Sequence, residues 1–190
     1  LFLLPSTITA HISGVTIAGY VAFGTSLLNM VGACFAPLGL ILLPRASQLV
    51  ANKDFKILKT YIIKILKITF ILTVLGIAFF EIFADKIILI YLDTLNSDLM
   101  INTRIIIIAS IGYTIYVAMR SIIDAYNVKA INTRNIFISL IFFLIVSFGT
   151  ILVKNSYIFL VINFVVSIIL LGILTLIEVR KVLKDEYKAD

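Results

Sequence analysis

The chain has 190 residues, of which 62% are hydrophobic and only 14% charged, with a formal net charge of +6. A soluble domain of this length carries about a quarter charged residues, so a water-soluble core is excluded as its organising principle. A single cysteine and a single histidine exclude a disulfide framework and a Cys/His metal centre.

Residues 1–13 are apolar but amount to only ~20 Å of helix, too short for a ~30 Å hydrocarbon core. The chain opens on Leu1, and neither a basic segment nor a cleavage signature marks a leader peptide. These residues read as the outer end of a helix that begins upstream. Gly14 and Gly19 then bracket the turn into the next element. His11, without clustered partners, reads as a helix-end polar residue, with proton carrier as the alternative.

The first full span is predicted over residues 19–44. Small residues at Ala18, Ala22 and Ser26, then Gly32, Ala36 and Gly39, predict a face for close backbone approach. Pro37 removes a donor from the carbonyl of Ala33 and predicts a bend, either a gating hinge or a static kink. Cys34 reads as a small packing residue. Residues 53–67, KDFKILKTYIIKILK, place five lysines on one helical arc with Leu58, Tyr61, Ile62 and Ile65 opposite. That pattern predicts a basic helix at the headgroup level, an anchor or a lipid-contacting element.

The second span is predicted over residues 62–80. Glu81 and Asp85, one turn apart at its outer end, read as solvated polar ends or as a cation or proton site. The third, over residues 105–125, contains Arg120 and Asp124 at i, i+4. An arginine at a helix centre costs about 2.5–3.5 kcal/mol on insertion scales, which pairing with Asp124 and snorkelling offset. The pair reads as a structural clamp or as the lining of a hydrophilic cavity. The last two spans cover residues 136–153 and 157–177, separated by the turn Lys154-Asn155-Ser156.

Lysine and arginine sort to alternate loops. Twelve of the sixteen fall in residues 44–67, in the 126–135 loop and after Ile177, against three in the other loops and Arg120 within a span. The positive-inside rule then puts the first group and the C-terminus in the cytoplasm. Because the basic residues flank spans, topology explains the net charge and no nucleic-acid partner is expected. The predicted fold class is all-α, a polytopic membrane helix bundle of about five full transmembrane helices plus a partial one at the N-terminus. Residues 1–180 form the transmembrane lobe and 181–190 a short cytoplasmic tail.

Two runs resemble a known family. LILLPRASQLVANKDFKILKTYIIK at 40–64 is similar to the span-end signature of polysaccharide and lipid-linked oligosaccharide flippases, a Pro-Arg-x-Ser helix end, a short polar loop and a basic helix. MRSIIDAYNVKAINTRN at 119–135 resembles a later segment of the same proteins, and AGYVAF at 18–23 the entry to their eighth helix. The resemblance covers residues 18–135 in order, and the final two spans match only as hydrophobic helices. It implies the multidrug/oligosaccharidyl-lipid/polysaccharide exporter superfamily, whose members place two six-helix lobes around a central cavity and work by alternating access.

On that mapping the chain is most of the second lobe, a fragment whose partner would be the missing N-terminal transmembrane lobe. The implied function is a flippase for a lipid-linked saccharide in a cell membrane, with Arg45, Arg120 and Asp124 contacting substrate. No cofactor, metal or covalent chemistry is expected. The alternatives are a cation-coupled multidrug exporter or lipid II flippase of the same superfamily, a polytopic membrane enzyme, and a structural membrane subunit. An enzyme would show clustered His, Asp or Glu at a membrane face, whereas the carboxylates here are scattered.

Overall fold

The computed structural model describes residues 1–93, 96–126, 129–154 and 156–184. The described residues form helices without a strand: α1 Leu4–Ser13, α2 Val15–Ala51, α3 Phe55–Leu92, α4 Ser97–Ile107, α5 Ser110–Tyr126, α6 Ile131–Lys154 and α7 Tyr157–Lys184. Four of them are long and apolar enough to cross a membrane, and α4 with α5, bent by 40° at their junction, is a fifth if the pair is one span. The ten residues of α1 reach only ~15 Å. The chain is a multi-pass membrane helix bundle with four to five membrane-length apolar spans and a short helix at its start.

Helix boundaries differ from the expected ones where packing outweighs local signals. Gly14 makes the α1–α2 turn by itself, at φ 87° and ψ 169°, a backbone region essentially confined to glycine. Gly19 lies inside α2, so the expectation of a turn bracketed by two glycines is corrected. α2 also runs through Pro37 and Pro44 to Ala51 and does not close at the Pro-Arg-x-Ser run. Each proline removes one backbone hydrogen bond, but Ala46 and Leu49 are buried in the core beyond Pro44 and hold the next turns in place. The helix stops in a Schellman turn. Lys53 takes φ 60°, its N–H donates to the Val50 carbonyl at 3.1 Å, and the Asp54 N–H donates to Leu49 at 2.9 Å.

The basic segment is no separate surface helix. It forms the first turns of α3, whose 38 residues extend ~57 Å, longer than a bilayer with its headgroups. Its buried residues are Leu58, Ile62, Thr69, Thr73, Phe80, Ala84 and Ile88, spaced by four and seven, so one seam faces the bundle. Leu58 and Ile62 lie on the expected apolar side, while Tyr61 is turned outward at 39% exposure.

The bend at Ile108–Ala109 contains neither proline nor glycine. There the Ala109 and Ile111 N–H groups bond three residues back, at 3.0 and 3.2 Å. The Thr114 hydroxyl donates to the Ser110 carbonyl at 2.8 Å and lies 2.8 Å from the Thr73 hydroxyl of α3. Threonine bonding back to its own helix favours a bend, and the same hydroxyl ties α5 to α3.

Helix α5 occupies the middle, packed against α2, α3 and α7. Two glycines set its closest crossing. A Cβ at Gly112 would lie 2.4 Å from the Ile168 carbonyl oxygen, and one at Gly172 would lie 2.5 Å from the Gly112 Cα. On α2, Gly24 meets Ile106, Gly32 the Tyr113 ring and Gly39 the Ser121 hydroxyl. Gly32 and Gly39 thus carry the predicted close approach, together with Gly24. One core, with Ala46, Leu49, Leu58, Ile62, Met119 and Ile122, fills the end nearest the lysines of α3. A second, with Val21, Leu28, Ile106, Phe143, Phe164 and Ile168, fills the other half. Outward faces of α3 and α6 carry isoleucine, leucine and phenylalanine, as a lipid-facing surface requires.

Candidate functional site

Almost every position of α5 is buried, from Ser110 to Ile123. One stripe departs from this. Tyr113 and Tyr116, then Arg120 and Asp124, recur at helical spacing, with the tyrosine rings largely covered and the two charged side chains exposed. Phe35 of α2, Leu171 of α7 and Ile136 of α6 pack in one cluster with the two tyrosines. Above them Phe2 meets the Tyr113 ring edge-on, with centroids 4.8 Å apart. The result is a polar strip on an otherwise enclosed helix.

Arg120 and Asp124 share a face, as their spacing requires, but no ion pair within 4.0 Å joins them. Asp124 is held instead by Asn132 at the start of α6. The Asn132 Nδ2 donates to the Asp124 carboxylate at 2.7 Å and to the Arg120 carbonyl at 2.8 Å. This single amide fastens the end of α5 to the next helix and leaves the guanidinium free of Asp124. The third candidate, Arg45, is exposed on α2 beside the buried Ala46, which shares a core with Met119, Ile122 and Ile123. The fold therefore brings Arg45 to the same end of the bundle as Asp124. No hydrogen bond or ion pair joins Arg45 to the other two.

Two further polar clusters mark the ends. Glu81 and Asp85 both face Arg104 of α4, at 3.7 and 3.2 Å. On the same helix α4, Asp98 accepts a hydrogen bond from the Tyr157 hydroxyl of α7 at 2.9 Å. At the opposite end Glu178 is 7% exposed. Arg134 of α6 donates to its carboxylate at 2.7 Å and Lys181 at 2.9 Å. Two cations on one carboxylate tie α6 to α7. Glu178 was not among the residues the sequence singled out. Its signal was a lone carboxylate between Ile177 and Val179, next to Arg180-Lys181.

His11 and Cys34 are exposed, and Cys34 borders a cleft between α2 and α3. Among the described residues no three His, Cys, Asp or Glu side chains come together. The expected turn residue Asn155, and residues 185–190 of the expected tail, lie outside the described residues, while 181–184 continue α7. No protein-family model matches the chain, and no curated protein or solved structure matches it.

Proposed function

We propose that this chain is one lobe of a flippase that carries a lipid-linked saccharide across a cell membrane, with Arg45, Arg120 and Asp124 in the path of its polar head. The observation that carries the reading is the exposed Arg120 on the most enclosed helix of the bundle. A cation on a membrane helix is expensive in lipid and belongs beside a hydrated cavity or a partner. A second lobe closing over the stripe would supply both. Guanidinium is suited to the phosphates that link saccharide to lipid, because its planar fork meets two oxygens at once. The lipid tail stays in the bilayer while the head moves, so the step is translocation without bond making.

Alternating access then requires the stripe to open to each side in turn. The Arg134–Glu178–Lys181 and Glu81–Asp85–Arg104 clusters, at the two ends, are the polar contacts such opening would rearrange. The test is transport by the full-length gene product in vesicles. A pyrophosphate-linked saccharide on a polyprenyl tail should be flipped, while a cationic dye should not be exported. Dye export without flipping would replace this reading by the multidrug one.

The same proposal orients the chain. Twelve of sixteen basic residues at one end put the α2–α3 turn and the C-terminus in the cytoplasm. In a background carrying Cys34→Ala, a cysteine at Asn52 should resist an impermeant maleimide in intact cells and one at Asn96 should react. Labelling of the Asn52 cysteine without lysis would invert the topology.

A further inference from the structure

On the side of α5 away from the polar stripe, α3 and α7 both lean on α5 and leave a groove between them. Its volume is about 680 Å³, within the ~300–1,000 Å³ of pockets that hold small ligands. Ile63, Phe70 and Ile71 of α3 form one wall, and Ile169, Ile173 and Leu176 of α7 the other. Gly112 and Gly172 form the floor. Their lack of side chains lets the two backbones touch and keeps the floor free of projecting groups. The lining is apolar except for one residue, Lys67.

Lys67 lies twelve residues into α3, ~18 Å along the helix. It makes no ion pair among the described residues. An ammonium at the edge of an apolar groove is complementary to an amphiphile with one anionic head. We infer that this groove is a binding site for an anionic phospholipid of the surrounding bilayer, with an acyl chain along Gly112 and Gly172 and the phosphate on Lys67. The flexible lysine stem allows its head to reach the phosphate while its methylenes remain against the groove wall. The site lies on the opposite face from Arg120 and does not depend on what the stripe carries.

Native mass spectrometry of the whole chain, delipidated in detergent and offered dioleoylphosphatidylglycerol or dioleoylphosphatidylcholine, tests this. The wild-type chain should retain one phosphatidylglycerol under conditions that strip phosphatidylcholine. Lys67→Gln should lower that occupancy at least fivefold, and Lys67→Arg should restore it. Ile173 is 49% exposed, so Ile173→Trp can fill the groove without disturbing the core and should also cost at least fivefold. Lys86→Gln, at the other end of α3, should retain the lipid. Equal retention of the two lipids by the wild type, undiminished occupancy in Lys67→Gln or Ile173→Trp, or an equal loss in Lys86→Gln overturns the site.

Discussion

Gly112→Val is expected to abolish accumulation of the folded protein, the largest effect of any single substitution here. Overpacking normally costs about 1–3 kcal/mol because side chains can shift. At this crossing the obstacle is backbone, since the new Cβ would lie 2.4 Å from the Ile168 carbonyl oxygen and 2.7 Å from the Ile169 Cα. Helices α5 and α7 must move apart, and the packing around Ile115 and Val179 opens with them. Against a total stability of ~5–15 kcal/mol, separating the central pair removes most of it. Gly172→Val should behave alike. Gly76→Ala and Gly149→Ala meet no heavy atom within 4 Å and should be neutral or gain up to about 1 kcal/mol of helix propensity. Size-exclusion yield and thermal melting in detergent compare the four. Wild-type yield of Gly112→Val would refute the crossing.

Arg120→Ala in the full-length protein should keep near-normal expression and lose transport about 10–100-fold at subsaturating substrate. That range corresponds to one charge-assisted hydrogen bond worth ~1.5–3 kcal/mol. Expression should survive because Arg120 is exposed and has no ion pair with Asp124, so its removal strands no buried carboxylate. Asp124→Ala acts differently. It removes an acceptor from Asn132 and loosens the α5–α6 turn, so the amount of folded protein should fall by a modest fraction. In the double exchange, Arg120→Asp with Asp124→Arg, the guanidinium moves about one turn, ~5.4–6 Å. Transport should then remain lost although the protein folds. Full transport by a well-expressed Arg120→Ala variant returns the stripe to a purely structural role.

How far the sequence reached varied with the kind of interaction. Leu58 and Ile62 were legible as the buried side of α3 because the lysines opposite declared the helical face. Gly32 and Gly39 were legible as contact residues because small residues in a membrane helix have few other uses. Pro44 misled, since a local signal ends a helix only when the turns beyond it have nothing to hold them. Ala46 and Leu49 do hold them. Of the candidate site, the shared face of Arg120 and Asp124 follows from helix periodicity alone. Their lack of pairing does not, because Asn132 comes to Asp124 from another helix.

The sequence by itself determined the helical class, the presence of several membrane-length apolar helices and the sorting of lysine and arginine to alternate connecting segments. These depend on composition and period along one strand of chain, and lipid leaves the backbone few alternatives. Only the tertiary structure decided the 40° bend between α4 and α5, the contact of Gly112 with Gly172 and the burial of Glu178 between Arg134 and Lys181. It also decided that α5, no more apolar than its neighbours to the eye, is the helix the others enclose. Each of those depends on which residue of a distant helix arrives opposite, and period along the chain holds no information about that partner.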